Sequence, residues 1–519
     1  MSIPDYSDYK ALVCIFLYGG NQSYNWIVPS STDKYTEYLN SRKGLSIDQN
    51  SLHVLNGTAS DGYAYGLHYN CPDLASLYNN GEGAVVCNVG TLIQPTTRNQ
   101  VLNGTALLPP QIFSHVDQQT EWQTAVTDGL DKIGWAGRIS DVYINNGVNF
   151  QLAMNVTPAT TALLMDGTRS KQYVCGLNQY PQDIYSLEFN WRGGNGNGRT
   201  DLDTLLKSQA LSSNNAFVKT YAQIRQNADD KINIIKNALQ NTPNSPYTFP
   251  VTSNHGGYYV YLADQLRQIA KVIKASTTRI TAAGDLYPTN NPNTIWYYAV
   301  DPATLGIAVG KTVTGQYIQS GTTVVSIGGN PSDGDCYVEI SKPHTFTGID
   351  AFGTPASFNF SYDPYITDKR QFFFAVQYEF DTHDNELSVQ QRILGDLNDS
   401  IKVFRDEMVT LGIWDKVTVF TNSEFSRSLA PNGDGSDHAW GGHSMVFGGS
   451  VNAGYYGIMP SLVCGGVDDY SIGGRIIPTT SVEQYSATLA KWFGINDADM
   501  YSLFPNLHKF TPKYLGFMK

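Results

Sequence analysis

The chain has 519 residues, 41% of them hydrophobic, which is enough for one large α/β domain with an insertion or for two to three ordinary domains. Its 34 Lys and Arg stand against 46 Asp and Glu, a net charge of −12, and no basic run breaks that balance, so the electrostatic footprint of a nucleic-acid partner is missing. Only 15% of residues are charged, so much of the polar surface must come from Asn, Gln, Ser, Thr, Gly and the 33 Tyr, a composition that suits an extracellular protein or a subunit of an assembly.

The first residues, Met1-Ser2-Ile3-Pro4-Asp5-Tyr6, lack the charged and apolar regions of a signal peptide, so synthesis in the cytoplasm without Sec or Tat export is compatible with them. Residues 10–18 form a continuous apolar run that stops at Gly19-Gly20 and predict a buried parallel strand. Residues 72–80 predict a short helix with Pro in its first turn and Gly81 after it, and a second strand follows at Ala84 to Val89. The stretch His115 to Ala125 is helical in pattern, as are residues 201–240 and 258–276. From about Ala283 to Pro364 the helix formers thin out, and Thr, Val, Gly and Tyr alternate in a pattern that predicts a small all-β module. Strands are expected again at Gln371 to Phe380 and Lys416 to Thr421, with helices at 386–411 and at Val482 to Phe493.

Strand, helix, strand in this order predicts a doubly wound, mostly parallel α/β sheet with the β module inserted: a core of residues 1–282 and 364–519, and a module of residues 283–363. Sites in such sheets form at the C-terminal ends of the strands. No apolar stretch approaches the roughly 18 residues of a membrane-spanning helix. The six cysteines, Cys14, Cys71, Cys87, Cys175, Cys336 and Cys464, form no close pair and read as buried small hydrophobes.

Three clusters stand where that logic puts a site: Asp381-Thr-His383 after a strand, Asp437-His438 with His443, and Ser114-His115-Val-Asp117 at a helix start. Carboxylate with imidazole is a ligand set for hydrolytic metals. Ser114 is a candidate nucleophile at a helix N-terminus, although Ser114 followed by Asp117 also fits a cap without chemistry. Thr96 and Thr97 are rival nucleophiles, with Arg98 beside them to bind an oxyanion. Glu424 and Arg427 read as an ordinary ion pair at a strand end.

The stretches Phe16-Leu-Tyr-Gly-Gly-Asn21, Leu108 to Gln119, Gly134-Trp-Ala-Gly-Arg138, Phe380-Asp-Thr-His383, Ser423-Glu-Phe-Ser-Arg427, Asn432 to His443 and Ile477-Pro-Thr-Thr-Ser481 occur in one order. In this the chain resembles the long-form members of an uncharacterised, mostly secreted bacterial family with a sulfatase-like core, in the alkaline phosphatase superfamily. The resemblance implies a two-metal hydrolase site, with Asp381, His383 and His443 on one metal and Asp437 and His438 on the other. The second metal would also take an Asp from the loop after the first strand, where this chain has Gln22, a neutral and poor ligand for hard cations. One divalent ion (Zn, Mn or Ca) is therefore expected, with the second site weak, and Gln22→Asp is expected to raise the stoichiometry towards two. The implied activity is hydrolysis of phosphate or sulfate esters. The alternative is a non-catalytic structural component of a virion or of an extracellular or surface assembly, with copies of itself or other assembly proteins as partners.

Overall fold

The computed structural model describes residues 8–129, 131–148, 155–157, 162–170, 172–174, 215–216, 218–219, 222, 235, 238–240, 242–250, 261–288, 291–348 and 354–519. The chain is a mixed α/β protein that divides into two compact units. The first comprises Met1–Leu187, Ser245–Ala270 and Asp368–Lys519, and the second Glu188–Asn244 and Lys271–Thr367.

The first unit is built on a mixed sheet. Its central strand, β1 (Lys10–Leu17), is the apolar run read from the sequence, and residues 11–17 are all buried because both of its faces are covered. The other strands of this sheet that frame the site include β2 (Gly83–Gly90), β3 (Arg370–Gln377) and β4 (Val417–Asn422). A hairpin of β5 (Arg427–Asn432) and β6 (Gly435–His438) leads into β7 (Gly442–Gly448). Strand β1 lies parallel between β3 and β4, with Cys14 opposite both Phe374 and Phe420. Strand β7 then runs antiparallel to β4 on one side and to β2 on the other. That reversal was not expected from the sequence. The connection, residues 423–441, holds the β5–β6 hairpin and no helix, whereas a parallel crossover is usually made by a helix.

Three helices position the site: α1 (His115–Thr124), α2 (Glu386–Thr410) and α3 (Val482–Phe493). Helix α2 buries Ile393, Leu394, Leu397, Ile401 and Phe404, a stripe at helical spacing. Helix α3 starts in a capping box, Ser481 with Gln484, and buries Val482, Tyr485 and Leu489 in one cluster with Leu12, Cys14 and Phe16 of β1.

The second unit contains a six-stranded, all-antiparallel sheet. Its strands run from Ile280–Leu286 to Ala356–Tyr362, and alternate residues such as Ile295, Val338, Phe360 and Tyr362 fill its core. The helical reading of residues 201–240 falls mostly outside the described residues, and so does Cys175. Cys14, Cys71, Cys87 and Cys336 are buried free thiols, and Cys464 is partly buried. Among the described residues no helix is long and apolar enough to cross a membrane.

Candidate metal centre

Strands β1, β3 and β4 end side by side, and the loops leaving them form one surface. The loop after β1 turns at Gly19, whose φ of +120° suits glycine alone, and a Cβ there would stand 2.1 Å from the Asp381 nitrogen. This close approach brings the β1 loop against Asp381, four residues past the end of β3. Beyond β4, the Glu424 carboxylate is buried and accepts from the Gly19 N–H at 2.9 Å and from Gln119 Nε2 at 3.0 Å. The third donor to the same oxygen, at 2.9 Å, is His115 Nδ1 at the first position of α1.

His115, Asp381 and His438 converge. The two imidazole Nε2 atoms are 3.1 Å apart, and each lies 3.5 Å from a carboxylate oxygen of Asp381. Donors roughly 2.0–2.2 Å from a zinc ion at tetrahedral angles stand about 3.3–3.6 Å apart. The three side chains form a group able to hold a metal ion. His383 flanks the same edge, with its Nε2 at 3.0 Å from His438 Nε2 and 3.1 Å from Asp381.

The outer ring nitrogens are already committed. A carboxylate and a carbonyl can only accept, so His115 Nδ1–H donates to Glu424, and His438 Nδ1–H donates to the Phe113 carbonyl at 2.9 Å. When both rings are neutral, each therefore directs an Nε2 lone pair at one point. Lone pairs 3.1 Å apart repel unless a proton or a metal ion lies between them. Imidazole with its far N–H fixed by a carboxylate or carbonyl is the usual arrangement of a metal-binding histidine. Phe425 stacks on the His438 ring at 4.7 Å and limits its rotation.

The electrostatics divide the group. The Glu424 hydrogen bond raises the pKa of His115, against opposing desolvation, while burial lowers that of His438. For Asp381, burial pushes upward, but the hydrogen bond and charge of Arg427, with His115 and His383, outweigh it and leave the carboxyl below its ordinary value.

Residues 365–504 match the model of a family described as a protein of unknown function (DUF1501). No curated protein matches the chain. The DUF1501 match includes Asp381, His383, Glu424, Arg427 and His438, and it leaves out His115 and Ser114, which α1 supplies from earlier in the chain.

The remaining residues singled out in the sequence go elsewhere. Asp437 precedes His438 on β6, and strand alternation turns it away: it accepts from Asn432 at 2.8 Å and faces Arg475 at 3.9 Å. His443 is buried, its Nδ1 accepts from the Asn88 N–H at 3.1 Å, and burial pushes its pKa down to about 3. Gln22 is buried and donates to the Ser428 carbonyl at 2.9 Å. Thr97 forms a true capping box with Gln100, which occupies the hydroxyl of that rival nucleophile. Arg98 donates to the carbonyls of Asp469 and Ser471, so it fastens a loop. Ser114 makes no side-chain cap, and its Oγ–H donates to Asp117 at 2.6 Å. Glu424 and Arg427 take different partners, His115 and Asp381. The ligand that sequence reasoning missed is His115. Its cluster with Ser114 and Asp117 was visible, but nothing local reveals that α1 would meet the β3 and β4 loops.

Proposed function

We propose that the protein is a metal-dependent hydrolase of phosphate or sulfate esters, working with one divalent ion held by His115, Asp381 and His438. The observation that carries this reading is the convergence of two Nε2 lone pairs and a carboxylate, with both Nδ1 protons fixed from behind. Two imidazoles favour Zn or Mn over Ca, which prefers oxygen ligands. A divalent ion bound there supplies Lewis-acid polarisation of the ester's non-bridging oxygens. Ser114, one residue before His115, is the proposed nucleophile, and Asp117 accepts its proton through the hydrogen bond that already joins them. His383, half-exposed beside Asp381, is the group from which a proton reaches the departing oxygen. The core is taken to be alkaline-phosphatase-like, on the strength of the parallel β1, β3 and β4 and a site at their C-terminal ends.

The test is elemental analysis of the purified protein with turnover of aryl phosphate and aryl sulfate esters. One Zn or Mn per chain is expected. Asp381→Asn and His438→Ala should lose both metal and turnover. Ser114→Ala should keep the metal and lose on the order of 10²-fold or more in kcat. Wild-type protein that binds no metal would overturn the reading.

A second reading is a non-catalytic component of a virion or of an extracellular or surface assembly, with copies of itself or other proteins as partners. It is supported by the composition, with only 15% of residues charged and 33 Tyr, and by the separate antiparallel sheet of the second unit. Self-association in sedimentation velocity without any esterase activity would favour it.

A further inference from the structure

The six-stranded sheet of the second unit has a filled face and an open one. Ile295, Val338 and Phe360 pack into its core, so the residues that alternate with them face away. On the open face one register line crosses five neighbouring strands. Ser357 stands opposite Asp285, Asp285 opposite Trp296, Trp296 opposite Tyr337, and Tyr337 opposite Gly328. Trp296 and Tyr337 are partly exposed, with ring centroids 5.5 Å apart. Tyr287 meets Trp296 edge to face at 6.1 Å, and Tyr298, which is 45% exposed, meets Tyr287 through its hydroxyl. Gly328 leaves room for the Tyr337 hydroxyl, since a Cβ there would stand 2.5 Å from it.

The charged groups beside these rings are all acidic. Asp285 lies in the register line itself, Glu339 follows Tyr337 by two residues on the same face, and the exposed Asp335 precedes it by two. Ser357 and Asn359 are exposed on a neighbouring strand. None of the six strands contains a Lys, Arg or His.

These features select a ligand. Ionised carboxylates only accept, so the ligand must bring hydrogen-bond donors. Three acidic side chains repel a negative charge, so it must not be anionic. Partly exposed rings need an apolar surface to cover them. A neutral saccharide meets all three demands, because its ring faces are C–H surfaces and its edge hydroxyls donate. Strands lie about 4.8 Å apart, so the line from Ser357 to Gly328 spans about 19 Å, a length that suits linked sugar rings. A single cation would instead need the rings gathered around one point.

We propose that the open face of the six-stranded sheet binds a neutral glycan chain. Trp296, Tyr337, Tyr287 and Tyr298 stack on sugar rings, and Asp285 and Glu339 accept from sugar hydroxyls. The inference does not depend on the metal-centre reading.

The test applies the whole chain to a microarray of neutral, sialylated and sulfated glycans, with immobilised polylysine beside them. The strongest neutral glycan is then titrated by calorimetry against wild type and variants, with circular dichroism melting to confirm folding. Binding to a neutral glycan is expected, with no signal from the sialylated or sulfated ones. Trp296→Ala should weaken binding by about 10-fold or more, as loss of an anchoring aromatic does. Failure to bind any neutral glycan would overturn the proposal, and so would preference for the anionic glycans or binding to polylysine alone. A folded Trp296→Ala with wild-type affinity would overturn it too. Should Trp296→Ala fail to fold, Tyr298→Ala decides, at an exposed position just past its strand: weakened binding supports the proposal and wild-type affinity rejects it.

Discussion

Glu424 gathers three donors onto one buried carboxylate oxygen, from the β1 loop, from Gln119 and from His115. It touches no proposed substrate position, so its effect runs through His115, whose ring it orients and whose basicity it raises. Glu424→Gln keeps the shape and removes the charge. Metal affinity should fall by roughly 10–100-fold, the usual cost of losing such an outer partner. A competition titration with a chromophoric chelator measures this. Unchanged affinity would mean that His115 holds its place without help.

At the scale of elements, the site depends on two backbone features. The first is the β5–β6 hairpin, which pairs Arg427 with His438 and sends Asp437 to the opposite face. Adjacent residues of a strand cannot both enter one small site, so the Asp-His dipeptide that looked like a ligand pair supplies one ligand. The second is the β1 loop at Gly19. Ala at that position would meet the Asp381 nitrogen at 2.1 Å and adopt a φ of +120°. Strained backbone of this kind costs on the order of 1–3 kcal/mol before the clash is counted. Gly19→Ala should lower Tm clearly and weaken metal binding, because the Asp381 loop must move. A variant with wild-type melting and wild-type metal content would contradict the geometry. The long elements were legible in the sequence because their apolar periods are unbroken: β1, α2 and α3 fall within a residue or so of the ranges expected. Strand β7 was not: no element was expected at Gly442–Gly448, and its pairing with β4 and β2 is entirely non-local.

At the scale of the whole molecule, two buried carboxyls outside the site, among the described residues, contribute to the response to pH. Burial raises the pKa of Glu121 to about 9, against partial relief from Gln118 and Thr91, and raises that of Glu483 to about 8, against relief from Asn506. Both values lie above the unfolded 4.5, so the folded chain keeps two protons that the unfolded chain releases. Their stabilising contribution is complete below pH 4.5 and is lost as pH rises through about 8 and then about 9. In that window stability should fall by about 1.4 kcal/mol per pH unit for each proton retained. Denaturant unfolding at pH 6, 7.5 and 9 reads the slope, and Glu121→Gln with Glu483→Gln should flatten it. A stability curve that rises over this range would show that these carboxyls are ionised in the folded protein.

By itself the sequence determined the mixed α/β character, the principal strands and helices, the β-rich character of residues 283–363, and the pool of histidines and acids from which a site is drawn. These are properties of local periodicity and residue type, and they survive without knowledge of neighbours. Only the tertiary structure decided which members of that pool meet. His115 enters from a helix some 270 residues before Asp381, while His443 turns into the core to receive the Asn88 N–H and Asp437 turns out to Asn432. Asp381, His383 and His438 do come together, but around Arg427 and not around Gln22. The physical reason is that ligand geometry depends on side-chain direction at strand ends and loops. A one-residue change of register or one glycine turn reverses that direction, and spacing along the chain does not encode it.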